Sequence, residues 1–445
     1  MTTPTTSENA VCPECSGSLT NDPRFAVWCP SCHWNALPET TRKPTSQENN
    51  LRRRLDRALE ERLFQEAVSG RDLKPHRDAS FFAAAALALP VHLVTLAALV
   101  AGGLLVAYGS WPGWVAAAAL FGIAYQCRPR LGSYRKAVRK AAVVTRADAP
   151  ALWALADSVA DELGTRRADA IVLSRRFNAS YARLGLRRRV VLVLGMPLWA
   201  SLSEQERVAL LAHEFGHGAN GDARRGLWLG AALSGLEEWW RILQTSALAR
   251  NRSHGLEAFV MLLVSWLTAG LAQLVLLYAR LLNWLTRIGS RRAEYLADSF
   301  TSRLAGTEGA TGLLEALRLG TAYESVIHRR RVAGQRIPGQ RHRRGGAPGA
   351  AEPVVPELSA GDLWTQVQEY VRTIPAAERT RRLLVSELTH DDFDGTHPPT
   401  HLRLAFVRSR ETAEPAVRLS PADSAAIDAE LRPAAGPIAE DLLTG

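Results

Sequence analysis

Residues 208–222 read VALLAHEFGHGANGD, and the spacing inside this stretch decides what the chain is built to hold. On a helix, His213 and His217 lie one turn apart on one face, so each can turn a nitrogen toward a single metal ion. Glu214 is offset by one position. Its carboxylate can reach a water beside such an ion without binding the ion itself, which is the placement a general base needs. The apolar run Leu210-Leu211-Ala212 leads into the motif and makes the helix a largely buried one. Buried imidazoles beside a carboxylate require partners, and a metal ion satisfies them together. A pair of surface histidines with a solvated glutamate would leave that apolar approach without a reason.

Two histidines leave zinc short of a third protein ligand. The best source is 291–298, RRAEYLAD, with Glu294 as ligand and Asp298 one turn farther along the same face, placed to anchor a ligand or a neighbouring helix. Around these motifs the pattern is that of a soluble domain. Residues 151–163 have helical spacing after Asp148-Ala149-Pro150; 170–173 and 190–194 read as strands, and 178–182 as a further extended segment. Ser201-Leu202-Ser203-Glu204 supplies the start signal of the histidine-bearing helix.

His213-Glu214-Phe215-Gly216-His217 together with Glu294-Tyr295-Leu296-Ala297-Asp298 resembles the paired HExxH and ExxxAD elements of the membrane-integrated zinc peptidases of the HtpX and CAAX prenyl protease type. The resemblance covers roughly residues 88–407 and implies a gluzincin-like α+β metallopeptidase domain. It implies two histidine ligands, a glutamate ligand and Glu214 as base. Asn178-Ala179 is similar to the family's segment at the edge of the active site, where a substrate backbone pairs as an added strand. Thr396-His397-Pro398-Pro399 followed by Arg403 is similar to a late family segment, which implies His397 as oxyanion stabiliser with Arg403 supporting it. From the residues alone, His397 would read as a structural loop histidine.

Apolar residues concentrate at 81–108, 111–125 and 258–284, whereas the first 80 residues and those after 321 are polar, the mark of a mainly α membrane protein with soluble parts. Residues 80–127 read as a transmembrane hairpin turning at Ser110-Trp111-Pro112-Gly113, its second arm short. Arg71, Lys74 and Arg77 precede it and Arg128, Arg130, Arg135, Lys136, Arg139 and Lys140 follow, with no basic residue in the turn, so both ends are expected in the cytoplasm. No apolar leader opens the chain, and the amino terminus is expected on the same side. Because Glu294 must reach the same ion as His213 and His217, the chain between them crosses the membrane an even number of times. Either 226–248 crosses as well as 258–284, the preferred reading, or 258–284 does not cross fully. The first option puts Glu237, Glu238 and Arg241 at membrane depth, lining a polar chamber; a blander version lays that helix at the interface.

Cys12, Cys15, Cys29 and Cys32 form two C-x-x-C knuckles within residues 1–40, a four-cysteine zinc ribbon whose thiolates leave no open position, so this zinc is structural. Cys127 is left over. Residues 41–79 read as a linker and an amphipathic helix with Leu51, Leu55, Leu59 and Leu63 on one stripe, able to dock on the peptidase domain, dimerise or lie on a membrane. The peptidase domain spans 128–415. Within it, 327–344 carries seven arginines and no acid, and 327–350 reads as a mobile basic loop with anionic lipid as its nearest partner. Residues 416–445 read as a peripheral tail. The 54 basic and 44 acidic residues give a net charge of +10, which also suits nucleic acid, but no aromatics interleave the arginines to stack bases. The expected function is a zinc endopeptidase cleaving membrane-associated or misfolded polypeptides at the cytoplasmic face of the cell membrane, with one catalytic and one structural zinc. The alternative is a catalytically silent membrane scaffold recruiting partners through its ribbon.

Overall fold

The computed structural model describes residues 11–37, 48–70, 79–126, 128, 132–139, 142–220, 222–248, 256–334, 363–389 and 397–444. Four short strands form its sheet: β1 Ala142–Val144, β2 Ala170–Ser174, β3 Ala179–Leu184 and β4 Arg189–Gly195, in the order β1-β2-β4-β3. The β-branched runs of β2 and β4 pair in parallel, with Ile171 opposite Leu192. β3 returns antiparallel on β4, with Tyr181 opposite Leu192, and forms one edge of the sheet. The strands read from the sequence are all present, and all of 178–182 but Asn178 lies on β3.

The helices in chain order are α1 Glu48–Val68, α2 Ala79–Tyr108, α3 Trp111–Gln126, α4 Tyr134–Arg139, α5 Pro150–Glu162, α6 Met196–Ala200, α7 Glu204–Ala219, α8 Asp222–Leu248, α9 Leu256–Ala316, α10 Gly320–Gly334, α11 Leu363–Arg372, α12 Ala376–Thr389, α13 Thr400–Ser409 and α14 Pro421–Thr444. α5 and α7 pack on the sheet through Leu152, Val159, Val208, Leu211 and Phe215 against Ile171, Leu192 and Leu194. At the start of α7 the Glu206 carboxylate accepts the Ser203 N–H at 2.8 Å, closing the first turn.

α9 runs for 61 residues, from an apolar first half into the stretch that carries Glu294. It bends at Gly306, whose φ of +78° is one that a residue with a Cβ adopts only under strain. Two described helices are long and apolar enough to cross a membrane, Ser80–Tyr108 and the apolar part of α9. α3 has 16 residues, short of the ~20 that a crossing needs. α2, α8 and α9 pack through Ala84, Ala88, Leu229, Ala232, Leu236 and Leu282, while Leu96, Val100, Leu104, Met261, Trp266 and Leu267 stand exposed on the outside of the bundle.

Three segments left open or read as peripheral prove to be docked. α1 packs on the peptidase body: Leu63 and Ala67 join Tyr295, Leu404 and Phe406 in one cluster, and Glu60 pairs with Arg291 at 2.8 Å, both side chains buried. The ribbon lies against α11 and α12, with the Arg24 guanidinium donating to the Thr373 carbonyl at 2.8 Å and Arg381 to the Ala36 carbonyl at 2.9 Å. Residues 416–445 are not a peripheral tail. α14 buries Ile427, Leu431 and Ala435 in the main core, because its apolar residues recur at helical spacing despite the alanines and prolines between them.

The basic segment divides. Residues 327–334 continue α10, with Ile327 buried and Arg331 donating to the Leu442 carbonyl at 2.8 Å; the rest of the expected loop, 335–350, lies outside the described residues. So do Arg71, Lys74, Arg77, Cys127, Arg130, Lys140, Thr396 and the turn between α8 and α9.

Candidate metal centre

α7 and α9 lie side by side in the body, and their facing turns carry the chemistry. Leu211 and Phe215 are drawn into the core on one side of α7, which leaves His213 and His217 toward α9, with Glu214 buried on the adjoining face. Asn220, at the carboxyl end of α7, donates to the Ala293 carbonyl at 3.2 Å and so ties the end of one helix to the start of the ligand turn on the other. The sequence reading missed this residue; a lone asparagine three positions past His217 carries no signal of its own.

His213, His217 and Glu294 each turn a ligand atom into one cluster, all within 4.8 Å of one another. His213 Nε2 lies 3.5 Å from Glu294 Oε2, and His217 Nε2 lies 3.5 Å from Glu294 Oε1. Ligands about 2.0–2.1 Å from a tetrahedral zinc stand roughly 3.4 Å apart, so the donor set fits the ion in both type and spacing. Glu214 is buried beside them, and no hydrogen bond or ion pair engages its carboxylate among the described residues.

A second layer holds these groups in place. Asp298 Oδ1 approaches His213 Nδ1 at 3.3 Å, on the ring nitrogen opposite the cluster, an arrangement that fixes the tautomer and aims the other nitrogen inward. Arg403, from α13, grips Asp298 with two hydrogen bonds of 2.8 and 2.7 Å and stands 3.4 Å from His213 Nδ1. Its guanidinium also lies 3.8 Å from Glu294, so it bears on the site through the ligands. His397 sits at the rim, half-buried, with Nδ1 at 2.5 Å from Glu294 Oε2 and its ring 6.2 Å from that of His213.

The electrostatics match this geometry. Burial opposes a charge on His213, but Asp298 and Glu294 outweigh it and raise the imidazole to about 9. Burial likewise opposes charge on Glu294, yet His217, His213 and His397 hold its carboxyl well below the usual range. Asp298 is also kept ionised, Arg403 overcoming its desolvation.

β3 flanks the centre. A Cβ on Gly218 would lie 2.7 Å from the Tyr181 ring, so α7 and β3 touch one residue beyond His217. The Asn178 carbonyl accepts from Gly195 N–H at 2.8 Å, and its side-chain oxygen accepts from the Ala179 N–H at 2.9 Å. Ala179 thus begins the edge strand, with Asn178 immediately before it.

In the ribbon, the Cys12, Cys15, Cys29 and Cys32 sulfurs cluster within 4.8 Å of one another, with 3.5 Å between Cys12 and Cys32 and between Cys15 and Cys29. Four thiolates about 2.3 Å from a tetrahedral zinc are roughly 3.8 Å apart, and this set fits such an ion too.

The family model of Peptidase family M48 matches residues 147–411, more than half of the chain, and starts beyond the apolar hairpin. No curated protein and no solved structure matches the chain.

Proposed function

Because the chain belongs to peptidase family M48, we propose that it is a zinc-dependent endopeptidase that hydrolyses peptide bonds of membrane-associated or misfolded proteins at the cytoplasmic face of the cell membrane. The observation that carries this reading is the convergence of His213, His217 and Glu294 on one point, with Glu214 buried next to it. Bound zinc supplies Lewis acidity to the scissile carbonyl and to the attacking water. Glu214 takes the proton of that water and afterwards delivers it to the leaving amine. His397, at the rim with Nδ1 on Glu294, would donate to the oxygen on which charge develops. Arg403 is a positioning residue: it holds Asp298, which in turn orients His213. The free edge of β3 offers backbone groups from Ala179 onward to a substrate strand.

Membrane embedding is supported by the two long apolar helices, by the exposed leucines around the bundle and by the basic residues that flank α2 and α3. α8 and α9 are joined by the short stretch 249–255 and share the Leu229, Leu236 and Leu282 packing, so they run as an antiparallel hairpin leading away from the metal cluster and back to it. With 27 residues, α8 is about 40 Å long, enough to cross. Its charges are not left bare: Arg241 donates to Glu238 at 2.6 Å and to Glu237 at 2.8 Å. These contacts support the reading in which α8 crosses as the partner of α9, which returns Glu294 to the side of His213 and His217.

Purified full-length protein and its Glu214→Gln form, both in detergent with an unfolded protein substrate, test the reading. Zinc content should be the same in the two, and cleavage should fall by about 10²–10⁴-fold in the variant. Equal cleavage by both would overturn Glu214 as the base, and zinc-loaded wild type with no cleavage of any polypeptide would favour the scaffold reading.

A further inference from the structure

An open cleft lies between the start of α4 and the β3–β4 turn. Its volume is about 330 Å³, with Ser133, Tyr134 and Arg135 on one wall and Leu186, Arg187 and Arg189 on the other. The walls meet at Gly132, where the φ is +65° and a Cβ would lie 2.7 Å from Leu184. Arg189 lies over the Tyr134 ring, 4.7 Å from its centroid. Among the described residues, no carboxylate pairs with Arg135, Arg187 or Arg189. Asp169, whose carbonyl accepts from the Tyr134 hydroxyl at 3.3 Å, is already engaged through its carboxylate by Arg166 at 3.3 Å and by the Val190 N–H at 2.7 Å.

The tip of the turn is of the opposite character. Gly185 accepts from the Arg188 N–H at 3.0 Å, and this tight turn holds Leu186 out at 89 % exposure among the arginines. A leucine so placed gains nothing in water and gains on entering an apolar phase. Gly132 follows closely on the end of α3 at Gln126, so the cleft lies within about 20 Å of the end of an apolar helix.

We propose that this cleft binds the phosphate-bearing headgroup of an anionic lipid, with Leu186 entering the acyl layer beside it. The inference rests on the membrane reading above. Guanidinium forks match phosphate oxygens in shape and charge, and the neighbouring leucine makes a lipid, not free phosphate, the ligand that uses both features. Nucleic acid is disfavoured, since the Tyr134 face is taken by Arg189. The consequence is positional. The turn is continuous with β3, which touches α7 at Tyr181 and Gly218, so seating it on headgroups holds the substrate edge and the metal cluster at a set height above the membrane.

The test uses full-length protein in nanodiscs of neutral phosphatidylcholine, or of the same lipid with phosphatidylglycerol added, followed by hydrogen–deuterium exchange. Segments 132–136 and 184–190 should exchange several-fold more slowly only in the anionic discs. Arg187→Glu with Arg189→Glu should erase the difference, and each single Arg→Ala change should weaken anionic-lipid preference about fivefold. Leu186→Ser should reduce the protection while leaving its salt sensitivity. Insertion into both discs with identical exchange overturns the headgroup site and leaves the membrane reading intact. Failure to insert into either disc overturns both. Equal protection by inorganic phosphate or by an oligonucleotide in detergent, with no dependence on disc lipid, shows a soluble anion site and overturns the proposal.

Discussion

Asp298 shows how a residue outside the metal cluster governs it. It touches His213 on one side and Arg403 on the other, all three buried. Asp298→Asn should lower zinc affinity about 10–100-fold by releasing the ring orientation, which a competition titration with a chromophoric chelator measures. The raised pKa of His213 has its own consequence. Zinc takes the imidazole in its neutral form, whereas a group with a pKa of about 9 is protonated at pH 7. Zinc binding at pH 7 should therefore release about one proton from this residue. Apparent affinity should rise with pH up to about 9 and level off above it. Calorimetry in buffers of different ionisation enthalpy reads the proton directly, and an enthalpy that does not vary with the buffer would refute the assignment. His213, Glu214 and His217 were legible because the H-E-x-x-H spacing puts the two imidazoles on one helix face, whereas Glu294 is weak by spacing alone and was legible through the resemblance of 294–298 to the second element of the family. Asn220 was not, since its role depends on where α9 happens to pass.

At the scale of elements, α1 is the segment whose role changes most. Its leucine stripe left docking, dimerisation and membrane contact equally open; the partner is the turn of α9 just ahead of Glu294. Glu60 and Arg291 pair with both side chains buried, and Arg292 reaches Glu66 at 2.7 Å on the exposed side. Removing one member of a buried pair costs about 3–5 kcal/mol. Glu60→Ala should accordingly destabilise the region and speed hydrogen exchange in α1 and in residues 291–298; unchanged exchange there would show that α1 does not brace the ligand turn. α14 makes the same point for the carboxyl terminus. Ile427 is fully buried in the main core, so Ile427→Ala should cost about 2–5 kcal/mol, measured by chemical unfolding. A true tail would tolerate the change.

Across the whole molecule, two clusters of side chains able to hold a metal ion and an apolar bundle are joined by long-range docking. Zinc analysis of the intact protein should find about two ions per chain, and Cys12→Ser with Cys29→Ser should leave about one. Loss of both ions would mean that the ribbon, which is held to α11 and α12 through Arg24 and Arg381, also supports the catalytic cluster. The number of crossings is open to a direct test at Ser253, between α8 and α9. Ser253→Cys in a Cys127→Ser background should add labelling by an impermeant thiol reagent from the face opposite the metal cluster, over that of the Cys127→Ser parent with its four ribbon cysteines. Labelling only from the cytoplasmic side would sink the four-crossing arrangement.

Local spacing determined the H-E-x-x-H pair of histidines with its glutamate, the four-cysteine set, the apolar segments and the strands of the small sheet, because each of these depends on which side chains share a face or a span within a few residues. What only the tertiary structure decided are relations between distant positions: α1 against the ligand turn, the ribbon against α12, α14 in the core, Arg403 on Asp298, and an arginine cleft shared by α4 and the β3–β4 turn. Their physical reason is common to all. A buried charge, an apolar stripe or a cluster of cations states that it needs a partner, but the partner's identity follows from how the chain returns through space, and no periodicity in the sequence records that path.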